Sequence, residues 1–270
     1  MAANGKRRVA LIANEKGGVG KSVFTRALVD WLRTQGERVI AFDADGSIGA
    51  TMRVLGTREP SGALCKTQDP AVGIGFYNGR SDNERNVLLD SIASDDPLYV
   101  HDLAGGLLGD LTKIVDGGEG LSGLLDAFAM HGCRLTVFHV ISPDIGSALS
   151  VGRWLDLTGA SVDHVAVVNL KHGKPPGDFP FWYGFRNAKG ENKGGGTRRR
   201  LLQEGGLEIE FPSLQSGTFA KLDAENIRFS QAQAVGLLTI TEQAHVVKFQ
   251  RDFAAMIAPA LPLLGLHGAG

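Results

Sequence analysis

Lys16-Gly17-Gly18-Val19-Gly20-Lys21-Ser22, set between the apolar run Val9 to Ala13 and the helix-like stretch Val23 to Arg33, decides how this chain folds. Glycines at three of the seven positions let successive backbone N–H groups turn toward an anion. The helix that follows aims the positive end of its dipole at the same point. Lys21 then supplies a point charge for the outer phosphates of a nucleoside triphosphate, and the Ser22 hydroxyl can ligate Mg²⁺. The backbone of Gly17, Gly18, Val19, Gly20, Lys21, Ser22 and Val23 is the expected phosphate cradle. Glu15 stands where the ordinary phosphate loop has its first glycine, and a second lysine, Lys16, sits inside the loop.

Working outward, Arg8 to Asn14 reads as a buried strand and Lys21 to Thr34 as a helix ending at Gly36. Further strands are expected at Arg38 to Asp43, Val72 to Tyr77, Leu98 to His101, Cys133 to Ile141, His164 to Leu170 and Leu207 to Phe211. Helices are expected at Glu84 to Ala93 and from Pro143 onward. Strands alternating with helices predict an α/β chain with a mainly parallel sheet covered by helices on both faces. In such a sheet ligands gather at the carboxyl ends of the strands. Asn14, Asp43, Asp45, Asp102 and Asn169 all fall there, which supports a nucleotide site independently of the glycine loop.

A loop carrying Lys16 as well as Lys21 resembles the deviant phosphate loop, KGGxGK[ST], of the MinD/ParA family of ATPases. The resemblance runs from residue 8 to about residue 240. It implies a single-domain P-loop NTPase fold over residues 1–270, ATP and Mg²⁺ as cofactors, and a homodimer formed on ATP binding. In that family the first lysine reaches the phosphates held by the partner subunit, so Lys16 would join Lys21 as a catalytic cation, doing the task an arginine finger does elsewhere. Asp43 and Asp45 are similar to the family's DxD, which makes Asp45 the catalytic carboxylate and puts Asp43 near the metal. Asp102 matches the apolar-run-then-Asp pattern beside Mg²⁺, with Leu103-Ala104-Gly105-Gly106 in place of PAG. Ser22, Asp43 and Asp102 form the implied metal set. Asn169 and Pro212 resemble the elements that flank the base. The ParA branch commonly has Pro-Gln after the second acid, where this chain has Gly46-Ser47.

Composition narrows the role. The 270 residues are 43% hydrophobic, enough for one large core, and the formal net charge of −1 means that attraction to a polyanion must come from a local patch. Cys65 and Cys133 have no CxxC spacing, so no disulfide framework or cysteine metal site is signalled. The apolar run behind the basic N-terminus is about half the length of a signal segment, which predicts a cytoplasmic location, a bacterial one if the family resemblance is followed. Phe253 to Leu266 is interrupted by Pro259 and Pro262 and predicts a helix docked on the core, so a membrane partner is not expected. Residues 171–200 hold eight cations against Asp178 and Glu191, with Phe179, Phe181, Trp182, Tyr183 and Phe185 among them. They read as an inserted, partly mobile loop ahead of a helix near Thr197. Nonspecific DNA held through Arg198, Arg199 and Arg200, a protein activator or cargo docked on the aromatic cluster, and a solvated loop are its three readings. The expected role is a spatial switch in DNA partition or transfer. A MinD-like positioning ATPase and a docking adaptor with little turnover are the alternatives.

Overall fold

The computed structural model describes residues 7–46 and 49–267. Seven parallel strands form one sheet in the order β3-β2-β4-β1-β5-β6-β9. They are β1 (Arg7–Ala13), β2 (Ile40–Asp43), β3 (Gly75–Phe76), β4 (Leu98–Asp102), β5 (Cys133–Ile141), β6 (Asp163–Asn169) and β9 (Leu207–Phe211); β7 (Phe185–Arg186) and β8 (Asn192–Lys193) make a separate antiparallel hairpin. The helices are α1 (Lys21–Thr34), α2 (Ala50–Leu55), α3 (Val87–Asp90), α4 (Leu108–Leu111), α5 (Ser122–Met130), α6 (Ile145–Thr158), α7 (Pro180–Tyr183), α8 (Gly196–Gln203), α9 (Ser216–Ala224) and α10 (Ile240–Ile257).

The strands read as unbroken apolar runs because both faces of the sheet are covered. Along β1, Ala10 and Ile12 face one core, shared with Phe24 and Leu28 of α1 and with Phe249, Phe253 and Ile257 of α10. Val9, Leu11 and Ala13 face the other, with Leu124 and Phe128 of α5. This period of two is what a one-residue register slip would destroy. Phe24 anchors the first core, its ring centroid 5.4 Å from that of Phe211 and 5.6 Å from that of Phe138.

Three expectations are corrected. The strand over Val72 to Tyr77 shrinks to Gly75–Phe76, because the Arg33 guanidinium takes the carbonyls of Val39, Pro70, Val72 and Gly73. The helix over Glu84 to Ala93 reduces to α3 followed by a 3₁₀ turn, Ser91–Ser94. Its first residues are captured elsewhere: the Glu84 carboxylate accepts from the Asn78 amide, and Arg85 binds the carbonyls of Arg80 and Ser81. Residues 171–200 are not an open loop. Phe179 and Trp182 are fully buried in a third core with Ile141, Val151, Val168 and Leu201, with Phe181 and Tyr183 half-buried against it, so α7 and α8 are packed elements and Phe185 is the exposed member of the aromatic cluster. The C-terminal segment is a helix docked on the core, as the sequence predicts: Leu261 and Leu264 are buried beyond α10. No helix among the described residues is long and apolar enough to cross a membrane.

Candidate nucleotide site

Strand β1 ends at the centre of the sheet, flanked by β4 and β5, and the glycine loop leaves from that end. Gly20 precedes α1 at φ 103°, and no side chain caps the first turn, so its free N–H groups and dipole stay available to an anion. Gly17 and Gly18 are exposed, whereas Val19 is buried. A Cβ on Gly20 would stand 2.3 Å from Nδ2 of Asn169, so the loop closes only over glycine at that position.

The two lysines occupy opposite environments. Lys21 is 8% exposed, and its ammonium donates to the carbonyl oxygens of Asn14 (3.1 Å) and Lys16 (3.4 Å). Burial lowers its pKa, and the charges of Asp102, Asp45 and Glu15 work against that shift. Lys16 is exposed and forms no ion pair among the described residues; the Asn14 side-chain oxygen accepts from its backbone N–H, and its aliphatic stem lies beside Gly146 at the start of α6. A single turn thus holds one cation over its own cradle and sends the other outward.

Asp43 and Asp102 are register partners across β2 and β4. Both are buried, and burial raises both pKa values, that of Asp43 to about 7 with the Asp102 charge as the next cause. Asp43 accepts from the backbone N–H of Asp45 (3.1 Å) and of Met52 (3.2 Å). Asp102 Oδ2 accepts from the Thr51 hydroxyl, and the Ser22 hydroxyl lies near this carboxylate, while the Thr25 hydroxyl donates to the Lys21 carbonyl (3.1 Å). Its Oδ1 is buried with no partner. Two desolvated carboxylates, a serine hydroxyl and an orphaned oxygen on one spot are a donor set for a hard divalent cation. No group of three or more His, Cys, Asp or Glu able to hold a metal occurs among the described residues. An ion here would therefore complete its shell with phosphate and water oxygens, as Mg²⁺ usually does. Asp45 is the exposed member of the DxD, with 52% of its side chain accessible and Arg80 3.6 Å away. Ser47 lies outside the described residues.

Beyond Gly18 and Gly20 opens a cavity of about 250 Å³ lined by Val23, Asn169, Phe211, Pro212, Phe219 and Phe249, among others. It is a mostly apolar slot able to receive a planar ring. Asn169 spends much of its carboxamide on the protein, donating to the Val19 carbonyl (2.8 Å) and accepting from the Lys171 amide (3.1 Å). The Lys171 ammonium sits 5.1 Å from the centroid of the Phe219 ring, which assigns that lysine to this slot and not to a surface patch.

The three arginines of α8 differ in their surroundings. Arg198 forms a two-point ion pair with Glu208 (2.7 and 2.9 Å) and lies 4.7 Å from the centroid of Tyr183; Arg200 is held by Asp156 and Glu204. Arg199 alone of the three is exposed and without an ion pair among the described residues. Sequence reasoning missed Thr51, Thr25 and Arg80, and no local motif marks them. It also left Glu15 without a role, although its carboxylate accepts from the amide of Leu108 and ties the loop to α4.

Residues 10–256 match the family model described as the CobQ/CobB/MinD/ParA nucleotide binding domain. Among solved structures, McdA from Cyanothece in complex with ATP is similar at 11% identity and TM-score 0.50, covering 98% of this chain and 99% of that one. MinD from Aquifex aeolicus is similar at 13% identity and TM-score 0.47 (91% and 95% covered), and a ParA family ATPase from Chlorobium tepidum at 12% and 0.46 (91% and 99%). No curated protein sequence matches the chain significantly.

Proposed function

Because the chain belongs to the CobQ/CobB/MinD/ParA family of nucleotide-binding domains, we propose that it is a Mg²⁺-dependent ATPase that dimerises on ATP and is reset by hydrolysis. The observation that carries this reading is the division of labour between Lys21, buried over its own cradle, and Lys16, exposed and unpaired among the described residues. Lys21 and the amides from Gly17 to Val23 hold the phosphates, and the apolar slot with Asn169 and Pro212 receives adenine. Ser22 and Asp102, with Asp43 behind them, would hold Mg²⁺, which would supply positive charge to offset that of the phosphates. Asp45, solvent-facing beside these groups, orients the attacking water. Proton abstraction by a strong base is not required, since phosphoryl transfer is accelerated mainly by positioning and by stabilising charge. Lys16 of one protomer completes the site of the other, which couples turnover to the dimer.

Light scattering tests this directly. Wild-type protein with ATP and Mg²⁺ should double in mass and remain monomeric with ADP. Lys16→Ala should bind ATP within a few-fold of wild type yet stay monomeric; unchanged dimerisation would refute the role of Lys16.

We place the cycle in DNA partition or transfer, on the strength of a reduced patch. Lys174, Arg186, Lys189 and Arg199 are exposed without an ion pair among the described residues, on the loop, hairpin and helix that follow β6. Four phosphate contacts per protomer, eight for the ATP-bound dimer, give a salt slope of about −7 in log–log form. ATP-gated binding to nonspecific duplex with that slope supports this role, and no binding moves the weight to a protein partner. The MinD-like alternative is disfavoured because Lys248 and Arg251 are the only Lys or Arg on α10 and share the Asp252 carboxylate, which leaves that helix a thin basic face for a bilayer.

A further inference from the structure

Arg80 lies on the turn after β3, far in sequence from the glycine loop, yet its guanidinium joins two segments that border the phosphate site. One end faces the Asp45 carboxylate at 3.6 Å, and the other donates to the Gly105 carbonyl. Gly105 in turn lies next to the glycine loop: a Cβ there would stand at ordinary contact distance, 3.4 Å from the Glu15 carbonyl oxygen and 3.5 Å from the Gly17 nitrogen. The positive charge of Arg80 also reaches Lys21, where it helps lower the ammonium's pKa after burial has done most of the work.

The surrounding backbone makes this placement deliberate. Residues 77–80 are zipped to residues 43–46 by the Tyr77 amide on the Asp43 carbonyl, the Gly79 amide on the Ala44 carbonyl, and a bridge between Asp45 and Asn78. The Asn78 side-chain oxygen accepts from the Arg80 amide and fixes the turn that launches the side chain. Gly46 and Gly79 pass so close that a Cβ on either would meet Asn78 or Leu107 within 2.7 Å. Arg80 is thus delivered from a rigid turn to a half-exposed position, 46% accessible, between two loops. A half-exposed ion pair at this separation is weak, so it can orient Asp45 without locking it.

We propose that Arg80 is a positioning residue for hydrolysis, bridging Asp45 to Gly105 so that the water-orienting carboxylate is held in register with the phosphate loop. The proposal rests on the ATPase reading above. Only a guanidinium has the planar fork to address a carboxylate and a carbonyl at once; a lysine ammonium is a single point charge.

The test compares wild type, Arg80→Ala and Arg80→Lys for kcat of phosphate release, Kd for a fluorescent ATP analogue, and melting temperature. The expected result for Arg80→Ala is a kcat at least tenfold lower, a Kd within threefold of wild type and a melting temperature within about 2 °C. Arg80→Lys should recover part of the loss, and millimolar guanidinium should raise turnover of Arg80→Ala but not of wild type. Unchanged kcat in Arg80→Ala, or a loss carried entirely by Kd or by melting, overturns the positioning role while leaving the ATPase reading intact. A wild-type protein that binds ATP and never releases phosphate would instead overturn that reading itself, and this role with it.

Discussion

Gly20→Ala puts a methyl group where the structure leaves no room. The residue sits at φ 103°, outside the range L side chains ordinarily adopt, which costs about 1–2 kcal/mol. The new Cβ would stand 2.3 Å from Nδ2 of Asn169, a side chain only 2% exposed and therefore poorly able to retreat. Displacing it breaks the 2.8 Å bond to the Val19 carbonyl, about 1 kcal/mol, and overpacks a tight contact for about 1 kcal/mol more. The sum is roughly 3–4 kcal/mol. At about 2–4 °C per kcal/mol for a domain of this size, melting should fall by roughly 10 °C. Gly17→Ala is the control: its Cβ meets nothing within 4 Å, and its φ lies outside the positive range. It should melt like wild type yet lose at least tenfold in ATP affinity, since the space its methyl enters is the cradle. Thermal melts without nucleotide, paired with ATP titrations, separate the two. If Gly20→Ala melts within 2 °C of wild type, the close approach between the loop and β6 is not what shapes the cradle.

Other outcomes follow from the same geometry. Burial holds His101 down to about 3 and His139 well below its usual pKa, so the unfolded state takes up more protons as pH falls. Their contribution is intact above the unfolded value near 6.5 and is lost below it, about 3 kcal/mol in all by pH 5.5; the raised pKa of Asp43 acts in the opposite sense over the same range, so the histidine share is read as the difference between urea titrations of wild type and of a His101→Gln/His139→Gln variant at pH 8 and 5.5, and an identical pH dependence would contradict the burial of these rings. Arg198→Ala strips the partner from Glu208, whose carboxylate also accepts from Trp182 Nε1. It should lower melting by several degrees, whereas Arg199→Ala should leave melting unchanged and reduce the DNA salt slope of the dimer by about two; the reverse pattern would contradict the pairing seen on α8. Phe24→Ala, at the centre of the first core, should destabilise by about 3–5 kcal/mol in chemical denaturation, and a loss under 1 kcal/mol would mean the core is looser than drawn.

What the sequence determined by itself was everything whose cause is local. The glycine loop, the strand before it and the helix after it are consecutive, so spacing alone fixes the cradle. Asp43, Asp102 and Asn169 are readable because an apolar run ending in a polar residue leaves that residue at the strand's carboxyl end. Tertiary structure decided whatever depends on partners distant in the chain. Sheet register sets Asp43 beside Asp102, and packing brings Thr51 to the same carboxylate and Arg80 across to Gly105, contacts that no residue spacing encodes. It also decided against appearances: a run of arginines and aromatics that looks like a surface patch is partly core and partly neutralised. Phe179 and Trp182 face a third apolar layer, and Glu208, on a strand that only the folded sheet brings alongside α8, claims Arg198. Charge and hydrophobicity are properties of residues, whereas exposure belongs to the fold.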